Sequence, residues 1–291
     1  MINFSKKKII KQIKKDINNI VKSSLEEDLG KSININFDIT SKIFKENKLI
    51  KSNIYTKENG VFCGKMWLEE VFYQIDNNIN IIWKVSDGDE LKKDQLICII
   101  QGPIKCLLAG ERTALNFIQT LSGVSSKVKK YIEIIKNTKT KLRDTRKTIP
   151  GLRSSLKYAV LCGGAENHRF GLFDGILIKD NHIEYIGSIK KIINMTRLYF
   201  PKSKLEIEVR NIKELKEAIT SKADLIMLDN FKYEDVIKAV IINKNQSILE
   251  ASGNINKKNL LKFASTGVDY ISLGELTKNI KSLDLTMNID S

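Results

Sequence analysis

The chain has 291 residues, 42% hydrophobic and 29% charged, enough for a real core in one large domain or two ordinary ones. The formal net charge of +15 suggests a nucleic-acid or membrane-surface partner, but 42 of the 49 cationic residues are lysines spread along the whole sequence, beside a general excess of Ile and Asn. That dispersal argues for no nucleic-acid surface; no apolar run approaches the roughly 18 residues of a membrane span, and the basic opening MINFSKKKIIKQIKKDI lacks the apolar core of a secretory signal, so a cytoplasmic protein is expected.

Ile9, Ile10, Ile13, Ile17, Ile20, Val21 and Leu25 recur at helical spacing, which predicts a helix over 6–28 ending near Leu29-Gly30. Residues 31–40 read as loop. From 49 to 102 the pattern is β. LIKSNIYTK alternates, and Glu58-Asn59-Gly60 marks a turn. INIIWKV and QLICIIQG are strands on either side of the turn Ser86-Asp87-Gly88-Asp89, and MWLEEVFYQI (66–75) is a short helix. A long helix follows from about Pro103 to Asn137, with Gly123 as a point of kinking or splitting.

The pattern then changes. Six apolar runs, TKLRDT (140–145), GILIK (175–179), KLEIEV (204–209), DLIMLD (224–229), SILEAS (247–252) and DYISLG (269–274), alternate with helices at 153–162, 187–199, 211–220, 233–243 and 257–266. Such alternation predicts parallel strands joined by right-handed crossovers. Six or seven strands instead of eight point to an incomplete α/β barrel. The expected division is 1–117 as an α/β layer and 118–279 as the barrel, with 280–291 packing back on the first layer.

The stretch from Arg143 to His182 holds both histidines, His168 and His182, and four of the seven arginines. Arginine is scarce here, so its concentration suggests a need for planar, bidentate donors. If the strand ends share one rim, Arg146, Lys147, His168, Arg169 and Lys179 stand on one side. Glu208 and Asp229 stand on the other, followed by Ser252-Gly253 and Gly274. The cations suit a ligand with several carboxylates or phosphates. Glycine-rich strand-to-helix junctions suit a phosphate, and the separate acids suit sugar hydroxyls or a hydrated Mg²⁺. The residues alone give an anion-binding α/β barrel and fix no reaction. Cys63, Cys98, Cys106 and Cys162 form no C-x-x-C pair and read as reduced thiols.

Several long, ungapped segments carry a resemblance: ERTALNFIQTLSGVSSK (111–127), DTRKTIPGLRSSLKYAVLCGG (144–164), NHRFGLFDGILIKDNHI (167–183), IMLDNF (226–231) and EASGNI (250–255). With LEEDLG (25–30) and ENGVFCGKMWLEEVF (58–72), the sequence resembles quinolinate phosphoribosyltransferase over nearly its whole length, most closely the enterobacterial form. The resemblance implies an open, seven-stranded α/β barrel behind an N-terminal α/β sandwich domain, in a homodimer with shared active sites. It implies transfer from phosphoribosyl pyrophosphate to quinolinate, with Mg²⁺ as cofactor and loss of CO₂. Arg146, His168, Arg169 and Lys179 would line the quinolinate pocket, with Arg112 reaching in from the other subunit. Lys147 would lie between quinolinate and the sugar phosphate. Glu208 and Asp229 would sit by the ribose hydroxyls, near a Mg²⁺ held mainly by pyrophosphate and water. Lys147, Glu208 and Asp229 are thus the implied catalytic set. Ser252, Gly253 and Gly274 would cradle the 5′-phosphate, and Lys57 would reach the pyrophosphate.

The sequence departs from the family pattern in places. Lys57 stands where Arg is common, Gly163-Gly164-Ala165 replaces three glycines, and Glu275 and Asn279 stand where a small residue and His are usual. Glu275 would repel a phosphate if it faced the pocket. The competing readings are a related phosphoribosyltransferase with another acceptor, a basic nucleic-acid-binding protein, and a non-catalytic scaffold. Three arginines at the implied acceptor site and the intact rim set count against them.

Overall fold

A computed structural model describes residues 6–30 and 32–290; the first five residues of the basic opening, residue 31 and residue 291 lie outside the described residues. The chain forms two compact units. The first comprises Lys6–Lys129, Ile149–Gly164 and the segment from Asn279; the second comprises Lys130–Thr148 and Ala165–Lys278. Compactness therefore divides the chain elsewhere than the expected break after residue 117. The long helix runs unbroken through that point, and residues 149–164 belong with the first unit.

In the first unit, α1 (Lys6–Leu29) buries Ile9, Ile13, Val21, Leu25 and Leu29 against α2 (Lys65–Ile75) and α4 (Arg153–Cys162). Full burial of each such side chain contributes roughly 1.5–3 kcal/mol. Strands β1 (Leu49–Thr56), β3 (Asn80–Trp83) and β5 (Leu96–Pro103) form an antiparallel sheet, while β2 (Gly60–Val61) and β4 (Glu90–Leu91) pair separately. Two segments gain structure here beyond the sequence expectations. The segment read as loop contains 3₁₀ turns at Ile35–Phe37 and Thr40–Ile43, the second organised by Asp38, which accepts the backbone N–H groups of Thr40 and Ser41. The segment after Ser282 is a strand, β12 (Leu285–Ile289), antiparallel to the outer edge of β1.

Helix α3 (Ile104–Ile135) is not split at Gly123. The glycine serves a close approach instead: a Cβ there would run into the carbonyl oxygen of Lys281 and the Cα of Ser282, the residues that lead into β12.

In the second unit, β6 (Lys141–Arg143), β7 (Ile176–Ile178), β8 (Leu205–Val209), β9 (Leu225–Asp229), β10 (Ile248–Ser252) and β11 (Tyr270–Ser272) form one parallel sheet in the order β6-β11-β10-β9-β8-β7. All six predicted strands are present. A parallel bridge between Arg143 and Glu166 adds a seventh position beside β6, so the series is open between that bridge and β7. The predicted helix over 187–199 is present as α6 (Ile189–Tyr199), and a short helix that the sequence reading did not predict, α5 (Asp180–Ile186), precedes it; left-handed Gly187 ends α5 and the Ser188 side chain caps α6. The others are α7 (Ile212–Thr220), α8 (Tyr233–Asn243), a short α9 (Leu260–Ala264) and α10 (Glu275–Lys278). Among the described residues, no helix is long and apolar enough to cross a membrane.

Gly123→Ala is expected to destabilise the first unit by about 1–3 kcal/mol through overpacking. Denaturant unfolding checks the loss, and hydrogen exchange should show earlier opening of Leu285–Ile289 than of β5.

Candidate active site

Strand side chains alternate between faces, so residues two apart share one. In β8, Leu205, Ile207 and Val209 are fully buried and α7 packs on the strand, while Glu206 and Glu208 share the opposite face. The same parity puts Met227 with Asp229 in β9, Glu250 with Ser252 in β10, and Tyr270 with Ser272 in β11. Strand register aligns the upper members: Ser252 lies opposite both Asp229 and Ser272, and Ser272 opposite Arg143.

The upper members surround a cavity of about 410 Å³ lined by Thr145, Arg146, Lys147, His168, Arg169, Leu177, Lys179, Glu208, Met227, Asp229, Asn230, Ser252 and Ser272. Eight of the expected site residues therefore meet at one barrel mouth: Arg146, Lys147, His168, Arg169, Lys179, Glu208, Asp229 and Ser252. Gly253 follows Ser252 directly, and Gly274 stands two residues after Ser272. A Cβ on Gly274 would meet Lys147 Cδ at 2.8 Å, so this glycine lets the Lys147 side chain lie against the backbone.

Local hydrogen bonds fix the cationic wall. Asp144, fully buried, accepts the His168 backbone N–H and Asn167 Nδ2, both at 2.8 Å. Arg169 Nη1 donates to Gly175 O at 2.9 Å, and Asp174 accepts the N–H groups of Phe170 and Gly171. Lys147 is tied through its carbonyl, which accepts from Thr277 Oγ1 at 2.7 Å. His182 Nδ1 accepts the Lys179 N–H at 2.9 Å, so His182 shapes the turn that carries Lys179.

The electrostatics favour an anion. Burial and then the neighbouring Arg146 push the Arg169 guanidinium below its ordinary value, so the wall holds more positive charge than it solvates well. Across the mouth, Lys179 Nζ lies 3.2 Å from Glu208 Oε2. Burial nevertheless raises the Glu208 carboxyl, with Lys179 opposing the shift and Asp229 adding to it. Asp229 accepts from Asn230 Nδ2 at 2.8 Å. The Glu275 side chain accepts a hydrogen bond from Tyr131 Oη at 2.8 Å and does not line the cavity, which answers the expected repulsion.

Two expected residues lie in the first unit. Arg112 is exposed and lines a separate cavity of about 350 Å³ with Ser24, Glu27, Asp28 and Asn116. Lys57 is exposed on the turn after β1, its N–H bonded to Asp284 O. Cys162 also belongs to the first unit and lines neither cavity. Sequence reading missed Thr145, Asn230 and Ser272 on the mouth, and Arg143, Glu206 and Glu250 below it. The signal for the two glutamates was present: in KLEIEV and SILEAS each stands two residues before a rim group, hence on the same face.

Comparison with known proteins agrees with this geometry. The family models for "Quinolinate phosphoribosyl transferase, N-terminal domain" and "C-terminal domain" match residues 38–122 and 124–288. The chain is 40% identical over 264 residues to the probable nicotinate-nucleotide pyrophosphorylase [carboxylating] of Bacillus subtilis (strain 168), covering 90% of each protein. It is 34% identical over 276 residues to the nicotinate-nucleotide pyrophosphorylase [carboxylating] of Mycobacterium leprae, covering 92% of this chain and 95% of that one. The solved nicotinate-nucleotide pyrophosphorylase of Francisella tularensis superposes with a TM-score of 0.89 at 42% identity, over 95% of this chain and 96% of that one.

A carboxyl held above its ordinary value binds its proton more tightly in the folded state. Its stabilising contribution is complete below the unfolded value and lost as pH rises through the folded one. Glu208→Gln is therefore expected to match the parent in thermal stability near pH 4 and to exceed it at pH 7, while losing activity. Thermal unfolding across that range checks the sign.

Proposed function

The chain belongs to the quinolinate phosphoribosyltransferase family, and on that premise we propose that the barrel mouth is the site of its reaction. The enzyme joins quinolinate to phosphoribosyl pyrophosphate and releases nicotinate mononucleotide, pyrophosphate and CO₂, a step of NAD biosynthesis. One observation carries the placement: Arg146, Lys147, Arg169 and Lys179 share a single mouth with Glu208 and Asp229. A dicarboxylate and a phosphorylated sugar need these opposed surfaces.

The planar forks of Arg146 and Arg169 bind the two carboxylates of quinolinate, and the excess charge of the wall is relieved when the anion arrives. Ser252 and the backbone at Gly253 and Gly274 receive the 5′-phosphate. Glu208 and Asp229 stand at the ribose and stabilise the oxocarbenium charge that grows as the C1–pyrophosphate bond lengthens. Lys147 lies between the two substrates and offsets charge on the departing group. The pyridine nitrogen attacks C1, and the cationic ring then stabilises the carbanion left when the 2-carboxylate departs as CO₂. Positioning does most of the work, in keeping with a mouth lined by no cysteine nucleophile.

The carboxylate oxygens of Glu208 and Asp229 fit a hydrated Mg²⁺ and would help to hold one beside the pyrophosphate. Such an ion would supply positive charge to offset that of the pyrophosphate. The placement of Arg112 and Lys57 in the first unit supports a homodimer in which Arg112 of the partner subunit completes the quinolinate pocket. A cytoplasmic location, with no nucleic-acid partner, fits a metabolic role of this kind.

Purified protein mixed with quinolinate, phosphoribosyl pyrophosphate and Mg²⁺ is expected to release CO₂ and nicotinate mononucleotide in equal amounts. Absence of both products at saturating substrate would refute the assignment. Arg112→Ala and Glu208→Ala proteins, each inactive, are expected to recover activity when mixed, because hybrid dimers contain one intact site. No recovery despite demonstrated subunit exchange would rule out sharing.

A further inference from the structure

Beneath the mouth lies a buried charged layer that the reaction as described does not use. Arg143 and Glu250 are 2% and 0% exposed, and Arg143 Nη1 donates to Glu250 Oε2 at 2.9 Å. The Arg143 guanidinium also stacks on Tyr270, 3.2 Å from the ring centroid. Glu206, equally buried, comes up from β8. His168 closes over both acids. Its Nε2 is 3.2 Å from Glu206 Oε2, 3.3 Å from Glu206 Oε1 and 3.6 Å from Glu250 Oε1. Its Nδ1 accepts the backbone N–H of Arg169 at 2.7 Å. Both ring nitrogens are thus engaged inside the protein.

A ring nitrogen that accepts a backbone N–H carries no proton. The ring proton therefore sits on Nε2, facing the carboxylate oxygens of Glu206 and Glu250, which accept when ionised. We propose that Glu206 and Glu250 are positioning residues for the transfer reaction: they hold the His168 proton on Nε2, leaving Nδ1 to anchor the Arg169 N–H and so set the wall that receives quinolinate. The proposal rests on the reading of the mouth as the quinolinate site.

The groups facing His168 come from several elements. Glu206 and Glu250 stand below it on β8 and β10, Arg143 on β6 pairs with Glu250, and Asp144 holds its backbone N–H. Burial disfavours charge on the ring and the two glutamates favour it, Glu206 the more, with a net upward shift. A second proton would have to sit on Nδ1, donor against donor with the Arg169 N–H, and that contact opposes it. The ligand atoms of His168, Glu206 and Glu250 lie within 4.8 Å of one another, a spacing that could hold a metal, but Arg143 already supplies Glu250 with its counter-charge.

An amide in place of either carboxylate can offer N–H to Nε2. The ring proton would then move to Nδ1 and push against Arg169. The test uses the fact that His168 and His182 are the only histidines in the chain. In ¹⁵N-histidine-labelled protein, with His182→Gln for assignment, His168 is expected to show a protonated Nε2 and an unprotonated Nδ1. Glu206→Gln and Glu250→Gln should shift that ring toward Nδ1 protonation. They should also raise the KM for quinolinate about tenfold or more, the effect usual for a group that orients a functional histidine, while the KM for phosphoribosyl pyrophosphate stays within about twofold. A parent His168 protonated on Nδ1 overturns the proposal, and so does a ring unchanged in both variants or an equal rise in both KM values. The parent spectrum decides even if a glutamine variant does not fold. If the parent turns over no quinolinate, the function assignment fails, and the spectra report the ring network separately.

Discussion

Four ionisable side chains, Arg143, Glu206, Glu250 and His168, are buried in one layer of the parallel sheet, and the barrel holds together only if they satisfy one another. Placing such charges away from water costs several kcal/mol each, and losing one partner typically destabilises by about 3–5 kcal/mol because the other is stranded. Each comes from a different part of the sequence: β6, β8, β10 and the turn after the Glu166 bridge. Their mutual neutralisation therefore ties the strand order to one register. A slip of one residue in β8 would turn Glu206 and Glu208 together onto the helix-packed face.

The mouth above inherits its precision from that layer. Arg169 follows His168 directly, and Asp144 follows Arg143, so residues that hold the buried charges are chain neighbours of those that shape the wall. The wall carries an excess of positive charge, and across from it burial lifts the Glu208 carboxyl. Both are unfavourable with the mouth empty, and under the proposed reading a dicarboxylate and an incipient ribosyl cation relieve them. Stability given up at such a place is the usual counterpart of catalytic electrostatics.

The sequence made much of this legible, for identifiable reasons. The strands of the second unit announced themselves because their outward faces are aliphatic, as in Leu205, Ile207 and Val209, and because their ends change abruptly to charge. Rim residues such as Glu208 and Asp229 were readable as strand ends. The glutamates two residues earlier were not, since an acid inside a strand is neutralised only by partners that the folded barrel supplies. Gly123 looked like a helix breaker because its neighbour, the Lys281 carbonyl, is remote in sequence. The segment after Ser282 showed no pattern of its own because its register is dictated by the free edge of β1.

That last pairing bears on how the protein is made. Asn53 Nδ2 reaches Asp290 across 237 residues of chain, and every hydrogen bond between β1 and β12 closes a loop of comparable length. Segment 149–164, which carries α4, is also separated from the rest of its unit by chain that belongs to the other. The first unit is thus complete only once chain on both sides of the barrel segments is in place. While the barrel strands are still being added, β1 has one unpaired edge, an invitation to associate with other nascent chains. Closing β12 onto β1 is a contact of very long sequence separation, the kind that slows folding.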